Sequence, residues 1–237
     1  MHHVITLRPP FRPSPCYGPA RMTRISRLLI AAVAGLLMTA GAVSAHPHVW
    51  VTMQSAVVYG PDGAITGIRH AWSFDDMYSA FAVQGLESKK KDEFTSEELN
   101  PLAQVNVESL KEYDFFTFAK ANGKDVAFVD PKDYRLEFDT KEKVLILHFV
   151  LPLQTPVKAK TLLLEVFDPS YFVDFALAEK DPVSLEKAPA GCEFKLDKPQ
   201  EMSADMAKRL AEIPPDGKIP QNSYGAAFSN KITVKCP

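Results

Sequence analysis

The sequence lacks the short motifs that mark the common catalytic sites. It contains no G-x-S-x-G nucleophile turn, no Walker loop, no G-x-G-x-x-G dinucleotide fingerprint and no H-E-x-x-H zinc helix. These absences exclude the standard machinery of serine hydrolases, nucleotide-dependent enzymes and zinc proteases. We therefore expect that the protein is not an enzyme.

No apolar run reaches the roughly 20 residues that a membrane-spanning helix requires. The longest run, residues 28–38, follows two Arg residues and precedes small residues that end at Ala45. A basic, an apolar and a small-residue region in this order are typical of a secretory signal peptide. We predict a periplasmic protein that does not span the membrane once the signal is removed. An uncleaved anchor carrying a soluble domain is the alternative.

Cleavage after Ala45 would leave residues 46–237 as a single periplasmic domain. Met22 is the expected initiator, because a signal peptide does not need the residues that precede the basic region. Residues 1–45 hold five Arg and no acidic residue, so 22 of the 27 basic residues remain against 29 acidic ones. This acidic balance argues against nucleic acid and anionic membranes as partners.

Cysteine is scarce, with three residues in the chain. Cys16 falls in the predicted signal segment, which leaves Cys192 and Cys236 as an even pair. An oxidising export compartment favours a disulfide between them. A thiolate metal pair is the alternative, but the two residues lack C-x-x-C spacing and a nearby histidine.

The sequence after the signal begins with strand patterns and continues with two helices. Residues 48–72 alternate around a G-P-D-G turn, which predicts an opening hairpin. Helical spacing follows over residues 73–86, with Ser73 or Asp75 as the N-cap. A second helix is predicted over residues 96–112.

Strands dominate the rest of the chain. Asn122-Gly123 centres one hairpin, a charged turn at 139–143 centres another, and two strands flank Pro169. A short amphipathic helix is predicted over 202–213, and a last strand ends at Cys236. The pattern predicts one α+β domain, mainly antiparallel β and sandwich-like, with two helices inserted after the first hairpin and a short C-terminal helix.

Two of the four histidines after the signal lie in the first three residues of the predicted mature chain. Cleavage would give His46 a free α-amine beside its own imidazole, which is a bidentate chelate for a divalent transition metal. Pro47 has no amide hydrogen, so the rival motif with a third-position histidine and deprotonated amides is blocked. In a strand, His46 and His48 would point to the same face and could share one ion. The alternative is that both histidines simply begin the first strand.

Four further residues are weaker metal-ligand candidates. The opening hairpin could carry His70 towards the amino terminus, and Asp75 follows it closely. Asp168 and Asp174 are set among aromatic residues, where a carboxylate is costly unless paired. Helix capping is the alternative role of Asp75, and loop capping is that of Asp168.

Four ordered motifs resemble the domain of unknown function 1007 family. They are H-P-H-V-W-V at 46–51, W-S-F-D-D-M-Y-S-A-F at 72–81, F-D-P-S-Y-F-V-D-F at 167–175 and A-P-A-G-C at 188–192. The resemblance implies an exported component of an uncharacterised ABC-type transport system. It also implies an association with nickel, cobalt or zinc transport and a membrane permease as partner, while the nitrogen donors themselves suit zinc, nickel, cobalt or copper.

Members of this family similar to the chain often carry an EF-hand-like calcium loop between the early helices. The chain departs from this pattern. The corresponding stretch, residues 87–98, places Lys89 and Lys91 at the third and fifth loop positions, where calcium needs oxygen ligands. Glu98 retains the terminal position. We expect no calcium binding at this loop.

Overall fold

The computed structural model of the chain describes residues 48–90, 93–197, 199, 203–211 and 224–237. The predicted signal peptide, its cleavage site and His46 lie outside these residues. The strands are β1 (Val49–Tyr59), β2 (Ile65–Phe74), β3 (Thr117–Ala121), β4 (Lys124–Asp125), β5 (Tyr134–Asp139), β6 (Val144–Val157), β7 (Thr161–Val166), β8 (Val173–Leu177), β9 (Val183–Glu186), β10 (Glu193–Asp197) and β11 (Asn230–Lys235). The helices are α1 (Asp76–Ala82), α2 (Ser96–Lys111) and α3 (Ala204–Ala211).

The strands form two sheets. The first has the order β5-β6-β2-β1-β8, and β9 pairs with β1 further along the same edge. The second has the order β10-β11-β7-β3-β4 and is antiparallel throughout. Helices α1 and α2 follow the first hairpin, which confirms the predicted α+β architecture.

The local predictions that rest on turns are confirmed. β1 and β2 form the opening hairpin, with Met53 opposite Trp72. Asn122 and Gly123 both have positive φ, 50° and 77°, between β3 and β4. A two-residue turn with positive φ at both positions follows the twist of the flanking strands, and Asn-Gly adopts it readily.

The first helix begins later than the helical spacing predicts. Ser73 and Phe74 still belong to β2, because the hairpin with β1 continues to Phe74, and Asp75 is the N-cap of α1. Within α1, Met77 and Phe81 are 64% and 74% exposed. Only some of the apolar residues whose spacing predicted this helix therefore face the core.

Two strands pair parallel to the edge of β1, which is an arrangement that the sequence pattern does not indicate. β8 pairs with Val49–Met53 and β9 with Ser55–Val58, both parallel to β1. Turn signals identify strands that are neighbours in the sequence, whereas β8 reaches β1 only because the chain leaves the second sheet after β7. β8 is the strand predicted after Pro169, whereas β9 and β10 lie outside the predicted strands.

Two hydrophobic clusters cover the inner face of the first sheet. At the end where β1 begins, α2 packs Leu99, Ala103 and Val107 against this face. At the other end the second sheet covers it, with Leu162, Leu164 and Ile232 among the packed residues. The predicted disulfide joins Cys192 to Cys236, beside the paired strands β10 and β11. None of the described helices is both long enough and apolar enough to cross a membrane.

Candidate functional site

The start of β1 gathers three chain segments that carry predicted site residues. The His48 amide donates to the carbonyl of Phe172 at 2.8 Å, and the centroids of the two rings lie 4.7 Å apart at a tilt of 33°. Trp50 pairs with Asp174 across the β1–β8 ladder. The Asp75 amide donates to the Trp50 carbonyl at 2.9 Å. His48, Asp75, Asp168 and Asp174 therefore come together at one end of the first sheet.

Asp75 joins β1 to the first helix. One carboxylate oxygen accepts the Tyr78 amide at 2.7 Å as a helix N-cap, and the other accepts the Trp50 amide at 2.9 Å. Both oxygens thus satisfy backbone donors at the end of the sheet. This arrangement supports the capping role that the sequence left open.

Asp168 organises the turn that carries the chain from β7 to β8. One oxygen accepts from the Ser170 amide at 2.8 Å and the Ser170 hydroxyl at 2.7 Å, and the other accepts from the Val173 amide at 3.0 Å. The residue is 4% exposed. These bonds give it the loop-capping role, and they fix Phe172 where its carbonyl receives the His48 amide.

Asp174 lies on the outer face of the sheet, next to Trp50. Partial burial raises the pKa of this carboxyl, and a hydrogen bond with Tyr171 opposes the rise. Burial, together with the charge of Asp174, raises the pKa of the Tyr171 hydroxyl to about 12. A desolvated carboxylate of this kind is stabilised by a nearby cation.

His70 does not lie with this group. The hairpin register places it opposite Ser55, seven residues along β1 from His48, or roughly 23 Å at strand spacing. Its ring is fully buried, with Nδ1 2.9 Å from Ser55 Oγ and Nε2 3.3 Å from Thr117 Oγ1. Burial lowers the pKa of His70 to about 3, so the ring is neutral and serves as a polar contact between the two sheets.

The described residues do not by themselves complete a metal centre. Among them, no three His, Cys, Asp or Glu side chains converge as a metal site would require. His46, the first-choice ligand, lies outside the described residues. Of the two first-choice ligands, the structure describes His48, which lies on the same face of the sheet as Asp174.

Glu98, the last residue of the EF-hand-like stretch, has a structural role at the start of α2. Glu98 accepts from the Thr95 amide at 2.8 Å and from the Lys89 amide at 3.1 Å. Thr95 and Glu98 form a reciprocal capping box at the start of α2. Glu98, which would occupy the last position of a calcium loop, therefore caps the start of α2.

An apolar pocket beside this end of the sheet has no counterpart in the sequence predictions. It encloses about 380 Å³ between the inner face of the sheet, the C-terminal half of α2 and the turn that Asp168 organises. Its aromatic lining comes from several elements: Trp72, Phe74, Tyr78, Tyr113, Phe116, Phe172 and Phe175. Asp168, Ser109 and Asn106 are among its polar lining residues. In the sequence these aromatic residues have the spacing of ordinary core residues, so no local signal identifies the pocket.

Comparison with known proteins connects this fold to an uncharacterised group. A protein of Haemophilus influenzae, described as uncharacterized, is 25% identical over 205 residues, which cover 85% of this chain and 96% of that protein. The family model for a protein of unknown function, DUF1007, matches residues 31–236. Since this match spans most of the chain, including the whole β1–β11 fold, the chain belongs to the DUF1007 family.

Proposed function

We propose that the protein is a periplasmic binding or accessory component of a transition-metal transport system. In this proposal His46 and His48 hold zinc, nickel, cobalt or copper at the amino terminus of the processed chain. Signal cleavage before His46 supplies the α-amine, and neutral imidazole and amine nitrogens are suitable donors for these ions.

The position of His48 is the observation that carries the proposal. Its backbone is fixed to Phe172, and its exposed side chain shares the outer face of the sheet with Asp174. Side chains alternate along a strand, so His48, Trp50 and the paired Asp174 lie on the same side. The carboxylate of Asp174 would favour a cation held two residues from the chain terminus.

The proposed chelate requires that the processed chain begin at His46. Mass spectrometry of the exported protein should find His46 as the first residue. Adding one Met before His46 would place an amide where the free amine should be, and so break the six-membered chelate ring formed by the α-amine and the imidazole Nδ1. We expect this extended protein to bind metal at least about tenfold more weakly, a loss of ~1.4 kcal/mol.

Calorimetric titration with Zn²⁺, Ni²⁺, Co²⁺ and Cu²⁺ tests the two ligands directly. His46→Ala and His48→Ala should both weaken binding, whereas His148→Ala should not. His148 is a suitable control because it lies on β6, where its Nε2 is 3.2 Å from Glu137. Unchanged affinity in both amino-terminal variants would refute the site.

A second function is favoured by the exposed apolar surface of α1. Met77 and Phe81 are largely exposed one helical turn apart, and Trp50 at the adjoining strand is 44% exposed. Such residues suit an interaction module that docks on a membrane permease and binds no metal itself. A correctly processed protein without metal affinity, whose association with permease-containing membranes is lost in Met77→Ser/Phe81→Ser, would favour this alternative.

A further inference from the structure

The apolar pocket beneath the start of β1 contains a buried acidic group. Asp168 lines the pocket at 4% exposure. Among the described residues, no ion pair includes its carboxylate. The hydrogen bonds from Ser170 and Val173 orient the group but bring no positive charge. A buried carboxylate without a cation is unfavourable, and a positive ligand would offset that cost.

Seven of the fifteen residues that line the pocket are aromatic. Trp72 and Phe175 lie 4.9 Å apart at 63°, while Phe116 lies 5.5 Å from Phe175 and stacks on Tyr113 at 5.3 Å. Faces of Trp, Tyr and Phe attract an organic cation through their quadrupoles, most strongly where water is excluded. The aromatic faces and the Asp168 carboxylate therefore both attract a positively charged group.

An unusual backbone segment holds part of this wall in place. Asp114, Phe115 and Phe116 have consecutive φ values of 52°, 52° and 49°. For side chains other than glycine, this left-handed conformation costs on the order of 1–2 kcal/mol per residue. Packing must compensate for that cost, and both Phe rings are buried. The segment thus places Phe116 at the pocket.

We propose that this pocket binds a small organic cation, either an amine or a quaternary ammonium compound. The positive group faces Asp168, and its alkyl groups contact the aromatic rings. The volume of about 380 Å³ falls within the range of small-ligand pockets, about 300–1,000 Å³. Neither His48 nor Asp174 lines the pocket, so this binding does not use the described residues of the proposed metal site.

A matched pair of probes tests the charge requirement. Choline and 3,3-dimethylbutan-1-ol have nearly the same shape, but the alcohol has carbon in place of the charged nitrogen. Calorimetry on the full processed chain, with a chelator present to remove metal, should show at least about tenfold tighter binding of choline. Equal affinities, or no binding of choline up to roughly 100 mM, would overturn the proposal.

Two variants test the residues. Asp168→Asn should weaken choline binding at least about tenfold, whereas Asp125→Asn removes an exposed carboxylate of the β3–β4 hairpin and should leave it unchanged. Choline affinity that is the same in both variants would refute the role of Asp168.

Tyr113→Leu provides a test that does not rely on the Asp168 turn folding correctly. Tyr113 is 54% exposed, so leucine can replace it with little effect on folding, but leucine lacks the aromatic face. Choline binding should weaken about threefold while binding of the alcohol stays the same. Unchanged choline binding in this variant would contradict the aromatic contribution.

Discussion

The buried His70 should make the stability of this protein depend on pH in the mildly acidic range. Thr117 Oγ1 donates its one proton to the Phe115 carbonyl at 2.8 Å, so it can only accept from His70 Nε2. The Nδ1 atom then carries the lone pair and accepts the Ser55 hydroxyl at 2.9 Å. A single neutral tautomer therefore satisfies this chain of hydrogen bonds between the two sheets. A second proton on the ring would place N–H against the Ser55 hydroxyl and bury a charge.

The size and direction of the effect follow from the two pKa values. Burial lowers the pKa of His70 to about 3 in the folded chain, against about 6.5 in the unfolded chain. The unfolded state therefore takes up a proton as the pH falls below 6.5, and the folded state does not. The stability that the neutral His70 ring contributes is fully present above pH 6.5 and is lost as the pH falls towards 3. At pH 5 the loss is about 2 kcal/mol, because 1.5 pH units at 1.36 kcal/mol each separate that pH from the unfolded pKa.

Urea unfolding of the wild type and of His70→Gln at pH 7 and pH 5 measures this contribution. Carboxylates and His148 titrate in both proteins, so their effects cancel when the two pH differences are compared. The wild type should lose about 2 kcal/mol more than the variant between pH 7 and pH 5. Parallel losses, equal within about 0.5 kcal/mol, would show that His70 takes up a proton in the folded protein and would refute the reasoning.

Three further predictions concern the disulfide, the first helix cap and the EF-hand-like stretch at residues 87–98. Replacing Cys192 and Cys236 by Ser should lower the free energy of unfolding by about 4 kcal/mol in urea titrations, because the bond closes a separation of 44 residues. Asp75→Ala should lower it by about 1–2 kcal/mol, since two backbone amides lose their acceptor; an unchanged midpoint would contradict the capping role. Glu98→Gln should lower thermal stability, while calcium should have no effect on the melting temperature of either the wild type or this variant. A calcium-dependent rise in the wild type would show that residues 87–98 bind the ion.

The sequence predicts those parts of the fold whose causes are local. The Asn122-Gly123 turn and the second helix depend on residues a few positions apart, and both occur where they are predicted. The parallel pairing of β8 with β1 depends on a free edge formed by distant segments, and no periodicity encodes it. The disulfide can be predicted from the sequence because only Cys192 and Cys236 remain once Cys16 is assigned to the signal segment.

The candidate site shows the same limit for individual side chains. Sequence spacing could not choose between capping and ligand roles for Asp75 and Asp168, because both roles use the same oxygens. The backbone donors from Trp50, Tyr78, Ser170 and Val173 show that both carboxylates act as caps. The sequence does not determine the hairpin register, so it cannot predict that His70 lies opposite Ser55 and far from the amino terminus.

The two ends of the Asp168 turn connect the proposed metal site with the proposed cation pocket. On the outer face, the turn presents the Phe172 carbonyl to His48 and leads into Asp174. On the inner face, its carboxylate lines the aromatic pocket. Asp168→Asn should therefore disturb both sites if it loosens the turn, but it should affect only choline if it merely removes the charge. Metal affinity equal to that of the wild type, together with weakened choline binding, would assign the effect to charge, since His48 depends on the position of Phe172 and not on the charge of Asp168.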